Sequence, residues 1–188
     1  GVLSFSIQME TEDLFNDRLI YYLPLNLNSG QIKLLALWAY NHRAPGQFGE
    51  NTHGQPYKAI EYYHNWLSGT KIIVAGDFNN SVIWDKPKGK NNFSAIDQSL
   101  SRYGLDSAYH KHYGLEMGKE IHGTLYHQKQ AHKPYHIDYV YLNETAIHDV
   151  RIGDYETWIT LSDHMPVIVD TNDFSPLTTG TPTCPIVR

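Results

Sequence analysis

The sequence predicts one α/β (α+β) domain, because strand-like and helix-like patterns alternate along most of its 188 residues. Residues 72–75 form an uninterrupted apolar run of mostly β-branched side chains, which is typical of a strand buried on both faces. Residues 17–27 and 31–40 predict two antiparallel strands joined by a short turn. Periodic apolar residues in segments 56–67 and 94–103 predict helices that flank the central strand.

The beginning and the end of the chain carry weaker patterns. Apolar residues alternate with serines from Leu3 to Ile7, so residues 1–7 predict the first strand of an antiparallel meander. Residues 173–188 are rich in Pro, Thr and Gly, which predicts a flexible tail. We therefore expect the folded domain to occupy residues 1–172.

Composition and charge narrow the classes of function. A hydrophobic fraction of 41% and a charged fraction of 19% are typical of soluble globular proteins. A net charge of -5 gives no overall basic surface for nucleic acid, and no apolar run is long enough to predict a membrane span. The only cysteine, Cys184, excludes an intrachain disulfide and favours a reducing, cytoplasmic location. The oligomeric state is not predictable from these features.

Two short polar side chains follow the central apolar run. Asp77 and Asn79, in the sequence GDFN at residues 76–79, are two positions apart and project to one side if the strand continues. A carboxylate and an amide held at a strand end are suited to binding a group or removing a proton from it. The same residue types also form tight turns, which is the alternative interpretation.

Two later segments also place acidic residues beside strand patterns. Asp138 lies near the start of HIDYVYL, and Asp163 and His164 come directly before the apolar part of SDHMPVIV. The order GDFN, HIDYVYL and SDHMPVIV, with helix-sized gaps between the motifs, resembles the endonuclease/exonuclease/phosphatase superfamily. The resemblance extends over about residues 1–170. It implies a DNase I-like four-layer α-β-β-α sandwich, here incomplete at its N-terminal edge.

The resemblance also implies a reaction and a set of site residues. Members of the superfamily are hydrolases that use Mg²⁺ or Mn²⁺, and the expected substrate is a phosphodiester, most of all in nucleic acid. Asp77 is expected to orient and deprotonate a water molecule, and Asn79 to position the water and the phosphate. His164 is expected to contact a phosphate oxygen while Asp138 pairs with His164. Asp163 is the expected metal ligand.

Four further residues are candidates for substrate contact. Trp84 could stack on a base or a sugar, although a large aromatic residue is also a common packing element. Lys86 belongs to a lysine-rich loop suited to phosphate contact, with an ordinary solvated loop as the alternative. Tyr40, or Trp38 near it, could occupy the place of an active-site tyrosine, and both could equally be core aromatics. His136 ends a segment that could line a substrate groove.

The chain also departs from the superfamily pattern. The resemblance implies an opening strand with a metal-site Asn and a later strand ending in a metal-binding Glu, but the sequence matches neither. Glu10 and Glu12 are the candidate replacements. We therefore expect a chain without the first part of its domain. An inactive fragment, or a module that binds phosphates or a partner, is the alternative function, and a phosphatase or lipid phosphodiesterase branch is another.

Histidines are frequent between the predicted second helix and Asp138. His110 and His112 are two positions apart, whereas the later histidines follow no regular spacing. No cysteine or carboxylate stands at the fixed offset that a zinc site requires. The sequence therefore predicts that these histidines occupy loops and the surface.

Overall fold

The computed structural model describes residues 2–19, 21–39, 54–69, 71–89 and 92–172. Within these residues the chain forms ten strands, which are β1 (Met9–Thr11), β2 (Tyr22–Leu27), β3 (Ile32–Trp38), β4 (Ile72–Asp77), β5 (Asp106–Ser107), β6 (Leu125–Tyr126), β7 (Pro134–Tyr135), β8 (Asp138–Leu142), β9 (Ile147–Ile152) and β10 (Val167–Thr171). The same residues contain four α-helices, which are α1 (Gly54–Tyr62), α2 (Phe93–Arg102), α3 (Ala108–Tyr113) and α4 (Tyr155–Trp158). Tyr40 and the predicted tail at residues 173–188 lie outside the described residues.

Six strands form the main sheet in the order β1-β2-β3-β4-β8-β5. Strands β1, β2 and β3 pair antiparallel, and β2 and β3 lie within the two predicted strands at residues 17–27 and 31–40. Strand β4 runs parallel to β3 and antiparallel to β8, so it lies inside the sheet with a partner on each side. Two small antiparallel sheets, β9 with β10 and β6 with β7, complete the strand pairing.

The two faces of β4 contact different parts of the core. Ile72 and Val74 belong to the larger apolar cluster, which includes Ile60 of α1 and Leu100 of α2. Ile73, on the opposite face, packs against the smaller cluster that includes Val150 of β9. The central strand is therefore covered by helices on one face and by the second sheet on the other, as a long β-branched run indicates. The presence of four complete layers stays a prediction.

The predicted strand at residues 1–7 is wrong. Leu3 and Phe5 are 83% and 98% exposed, and pairing with β2 begins only at Met9, which lies opposite Leu27. An alternating pattern can form a strand only where a neighbouring strand supplies hydrogen-bond partners and the apolar residues meet a core. Among the described residues, no helix has both the length and the apolar character needed to cross a membrane.

The predicted surface position of the histidines is also wrong for His110. This residue lies in α3 and is 8% exposed, and its Nε2 atom is 3.0 Å from the Glu120 carboxylate. Its Nδ1 atom is 2.8 Å from the Ser107 hydroxyl. Burial raises the pKa of Glu120, but the hydrogen bonds from His110 and from the Gly118 amide outweigh this effect and lower it. A charged partner inside the fold therefore accounts for the buried histidine.

Candidate active site

The ends of β4 and β8 bring two carboxylates together. Asp77 is the last residue of β4 and lies directly opposite Asp138, the first residue of β8. Gly76 has a φ of +145°, and a Cβ atom there would lie 1.8 Å from the carbonyl oxygen of Leu37 on β3. Only glycine allows β4 to run this close to β3 with that backbone conformation. The glycine of the GDFN motif therefore sets the position of Asp77.

Asn79 continues the site from β4 into the following loop. Its φ of +48° is a left-handed conformation that asparagine tolerates better than most residues. The backbone amide of Asn79 donates to Asp77 Oδ1, and its side-chain Nδ2 donates to Asp77 Oδ2, both at 2.8 Å. The motif is thus both a strand end and a tight turn, and the turn fixes the Asp77 carboxylate through two hydrogen bonds.

Asp163 and His164 lie in the loop before β10. The Ser162 hydroxyl accepts a hydrogen bond from the His164 amide at 2.9 Å, which forms a local turn. This turn directs the His164 ring toward Asp138, and His164 Nδ1 lies 2.9 Å from Asp138 Oδ2 and 3.1 Å from Oδ1. The carbonyl oxygen of Asp163 accepts the Tyr126 amide at 2.8 Å, which joins the loop to β6.

Burial and charge shift the protonation of this cluster. Burial raises the pKa of Asp77 to about 6, and the neighbouring charge of Asp138 acts in the same direction. Hydrogen bonds from the Asn79 amide and from Trp38, with the charge of His164, partly oppose this rise. The hydrogen bond to Asp138 raises the pKa of His164, against the opposite effect of burial. The pair therefore favours an imidazolium at His164, whereas Asp77 ionises near neutral pH.

The same cluster fits a divalent cation. Within the described residues, Asp77, Asp138 and His164 form the one group of three candidate ligands whose donor atoms all lie within 4.8 Å of one another. Two adjacent carboxylates are hard oxygen donors, which Mg²⁺ and Mn²⁺ prefer, and a cation would relieve their mutual repulsion. Asp163, the expected ligand, is next to His164 in the chain but is not a member of this group.

Two aromatic residues support the strand ends. Trp38 ends β3 directly beside Asp77 and donates a side-chain hydrogen bond to it, although its side chain is 46% exposed. Phe78 is fully buried and packs edge-on against Phe93 and Tyr139. Trp38 therefore contributes to the site, and the buried phenylalanine anchors the GDFN motif to the core behind it.

The other predicted substrate contacts occupy different environments. Trp84 is half-buried, and its ring centre is 5.3 Å from that of Tyr135. Lys86 is exposed in the loop that precedes α2. His136 is only 4% exposed, and its Nδ1 atom donates to the carbonyl oxygen of His122 at 3.0 Å. Of these side chains, the structure leaves Lys86 freely accessible to a ligand and Trp84 partly so.

Glu10 and Glu12 are not close enough to replace a metal ligand. Strand β1, which contains Glu10, is separated from β4 by β2 and β3, and three strand spacings amount to about 14 Å. Glu12 instead accepts hydrogen bonds from the side chains of Asn26 and Trp66, at 2.5 and 3.1 Å. Its carboxylate therefore attaches the end of β1 to the body of the fold.

Next to the paired carboxylates lies a cavity of about 300 Å³. Gly76, Asp77 and Asp138 form one side of it, and Met165 and Pro166 lie on the other. The carboxylates are thus accessible from a cleft between the main sheet and β10. A site of this kind can hold a cation, accept a proton and place a cationic imidazole beside an anionic group.

No family model and no curated protein matches the sequence. Among solved structures, the chain is similar to the 3'-5' exonuclease NExo from Neisseria meningitidis, with 15% identity and a TM-score of 0.59 over 89% of this chain and 71% of that chain. It is also similar to a Neisseria NExo structure described as a 3' phosphatase bound to a product DNA hairpin, with 15% identity and a TM-score of 0.58 over 89% and 70%. The endonuclease domain of TRAS1, a telomere-specific non-LTR retrotransposon, matches with 14% identity and a TM-score of 0.56 over 87% and 66%. The chain therefore has a mixed α/β fold of the DNase I-like kind, which it shares with these structures.

Proposed function

We propose that this chain is a metal-dependent phosphodiesterase that hydrolyses nucleic acid. The observation that carries the proposal is the cluster of Asp77, Asn79, Asp138 and His164 at one end of β4 and β8, next to an open cleft. The similar structures are named as a 3'-5' exonuclease, a 3' phosphatase and an endonuclease domain, and these names support the broader class of phosphoester hydrolysis.

In this proposal Asp77 is the general base. Its carboxylate is mostly ionised at pH 7, and a pKa of about 6 leaves it basic enough to take a proton from water. The two hydrogen bonds from Asn79 orient the carboxylate. An amide side chain that donates one hydrogen bond keeps a second N–H and a carbonyl oxygen, and these can position the water and the phosphate.

The Asp138–His164 pair supplies positive charge. Because His164 Nδ1 donates to Asp138, its other ring nitrogen, Nε2, is the one that can donate a hydrogen bond to a phosphate oxygen. The raised pKa of His164 favours the imidazolium form, which stabilises the negative charge of the phosphoryl group. Asp138 therefore acts by fixing the orientation and the protonation of the histidine.

A bound Mg²⁺ or Mn²⁺ would neutralise charge on the phosphoryl oxygens during the reaction. Asp163, proposed from the sequence resemblance, would hold the cation through its carboxylate, which is a hard oxygen donor. The adjacent negative charges of Asp77 and Asp138 would attract the cation, while Asp77 stays available to take a proton and Asp138 stays paired with His164.

Nucleic acid is the proposed substrate because basic and aromatic side chains occupy the loop that follows β4 and the loop between β6 and β7. Lys86 is exposed in the loop after β4, and Trp84 in the same loop packs against Tyr135 beside the start of β8. His127 and Lys129 are exposed in the hairpin loop between β6 and β7. Lysines can contact backbone phosphates and aromatic rings can stack on bases, so this arrangement suits a polynucleotide better than a small phosphate ester.

The test is hydrolysis of single-stranded DNA, duplex DNA and bis-p-nitrophenyl phosphate with Mg²⁺, Mn²⁺ or EDTA. We expect metal-dependent cleavage, and a loss of at least about 10²-fold for Asp77→Asn and for His164→Ala, the usual effect of removing a base or a charge stabiliser. The matched control is Asp13→Asn, because Asp13 is exposed next to β1 at the far edge of the sheet. Near-full activity in either site variant would refute these assignments. Faster hydrolysis of the monoester p-nitrophenyl phosphate, assayed under the same conditions, than of bis-p-nitrophenyl phosphate would indicate a phosphatase instead.

The second candidate function is a module that binds nucleic acid without cleaving it. This alternative is favoured by the distance of Glu10 and Glu12 from the site, because among the described residues neither replaces the expected glutamate ligand. Magnesium titration distinguishes the two functions. An enzyme of the proposed type should gain thermal stability with Mg²⁺ in the wild type but less in Asp77→Asn. A module without a metal site should bind single-stranded DNA equally well in EDTA.

A further inference from the structure

Thr124 lies behind the Asp138–His164 pair and is fully buried. Its hydroxyl oxygen accepts hydrogen bonds from two consecutive backbone amides, those of Ile137 at 3.0 Å and Asp138 at 3.1 Å. A hydroxyl oxygen has two lone pairs, so one threonine side chain can satisfy both amides. The backbone at the first residue of β8 is therefore held by a side chain that comes from the segment before β6.

The backbone of Thr124 is connected to the histidine loop as well. Its carbonyl oxygen accepts the amide of Met165, the residue after His164, at 2.7 Å. Its own amide donates to the carbonyl oxygen of Tyr135 at 2.8 Å, and the next residue, Leu125, forms an isolated bridge with His164. One buried residue thus contacts the segments that contain both members of the pair.

We propose that Thr124 is a positioning residue that sets the geometry of the Asp138–His164 pair. The side chain of Thr124 contacts this pair only through its hydrogen bond with the Asp138 backbone amide. The proposal rests on the function proposed above. Its basis is that the hydroxyl fixes the Asp138 backbone while the carbonyl oxygen fixes the residue after His164. The two side chains then meet at 2.9 Å without further adjustment. Small displacements of catalytic groups lower rates strongly, so a fixed pair is an advantage.

The hydroxyl is the chemically important part of this side chain. Thr124→Val keeps the β-branched shape but leaves the amides of Ile137 and Asp138 buried without an acceptor. We expect the start of β8 to move in order to satisfy them. Thr124→Ser keeps the acceptor and loses only a methyl group. Thr124→Cys keeps a side chain of similar size with a weaker acceptor, so it should give an intermediate effect and also serves if the valine variant does not fold.

Kinetics with bis-p-nitrophenyl phosphate and the activating metal provide the first test. We expect Thr124→Val to lower kcat at least about tenfold with KM changed less than about twofold, because it disturbs positioning and not substrate binding. Thr124→Ser should retain at least about a third of kcat. Thr145→Val is the matched control, since Thr145 is exposed and its hydroxyl bonds only to nearby Asn143. An unchanged kcat in folded Thr124→Val would overturn the proposal.

A double-mutant cycle separates positioning from a general loss of stability. If Thr124 acts through Asp138, Thr124→Val should lower kcat less than about twofold further in an Asp138→Asn background, because coupled residues are not additive. A loss as large as in the wild type would show that Thr124 acts independently of the pair and would also overturn the proposal.

The second test does not depend on catalysis. The proton on His164 Nδ1, which donates to Asp138, can be observed by NMR in ¹⁵N-histidine-labelled protein and assigned with His164→Ala. We expect the resonance to shift or broaden in Thr124→Val and to stay at its wild-type position in Thr124→Ser. An unchanged resonance in Thr124→Val would refute the positioning role even if the chain cleaves no substrate. Absence of cleavage with a shifted resonance would refute only the proposed function.

Discussion

Asp77 should make the protein less stable as the pH rises from about 4 to 6.5. Its pKa is raised from the ordinary value of 3.8 to about 6, mainly by burial and then by the charge of Asp138. Between these values the folded state keeps a proton that the unfolded chain releases, so the free energy of unfolding decreases with increasing pH. The sign is opposite to that of a carboxylate held in an ion pair. Asp77→Asn removes the titrating group, and with it this part of the pH dependence.

The size of the effect follows from the shift. A difference of about 2 pKa units corresponds to about 3 kcal/mol if nothing screens the group. Because Asp77 lies at an open strand end and is partly exposed, solvent screening reduces the expected contribution to about 1–2 kcal/mol. The pKa of His164 is also raised, so this residue stabilises the folded state at low pH. Its contribution to the free energy of unfolding is lost only above the pKa of an unfolded histidine, about 6.5, which is a higher pH range than that of Asp77.

Urea unfolding in EDTA, at half-unit steps from pH 4 to 6.5, measures the effect. The decrease in unfolding free energy over this range should be about 1–2 kcal/mol larger in the wild type than in Asp77→Asn. Carboxylates distant from Asp77 titrate equally in both proteins and cancel in the difference. The Asp13→Asn variant should follow the wild-type curve. Parallel curves for wild type and Asp77→Asn would refute the raised pKa and, with it, the argument that Asp77 is a base active near neutral pH.

Three further predictions follow from the described contacts. Gly76→Ala should destabilise the fold by at least about 2 kcal/mol in urea unfolding, because the new Cβ would overlap the carbonyl oxygen of Leu37. Glu120→Gln should lower stability by about 1–3 kcal/mol by weakening the buried contact with His110, and a wild-type unfolding midpoint would contradict this. Asp138→Asn should lower the pKa of His164, visible as a shift of its ring titration by NMR toward lower pH.

The sequence correctly predicted those parts of the fold in which a local pattern also finds a packing or pairing partner elsewhere in the chain. The apolar run at residues 72–75 is the centre of β4, because its two faces contact two separate apolar clusters. The GDFN motif combined a strand end with a turn, and the two alternatives left open by the residue types both occur there. Residues 1–7 show the opposite case. Their apolar residues alternate as in a strand, but pairing with β2 begins only at Met9, so within the described residues this segment has no strand to pair with.

The loop position of Asp163 and His164 was predictable in outline only. Adjacent residues on a strand face opposite ways, so both could serve one site only from a loop, and the structure places them before β10 in a turn closed by the Ser162 hydroxyl. Thr124 and Glu120 had no comparable signal. Their partners lie 10 to 14 positions away at offsets that correspond to no helix or strand period, so the contacts appear only once the chain is folded.

The geometry of the site itself favours a bound cation. Asp77 and Asp138 lie opposite each other on adjacent strands, and like charges in directly paired positions destabilise a sheet. Burial is the main cause of the raised pKa of Asp77, the charge of Asp138 adds to it, and His164 and Asn79 offset only part of the rise. A fold keeps such an unfavourable pair most readily where function requires it. A divalent cation would attract both carboxylates and offset their repulsion. Metal should therefore stabilise the wild type most at a pH where both carboxylates are ionised.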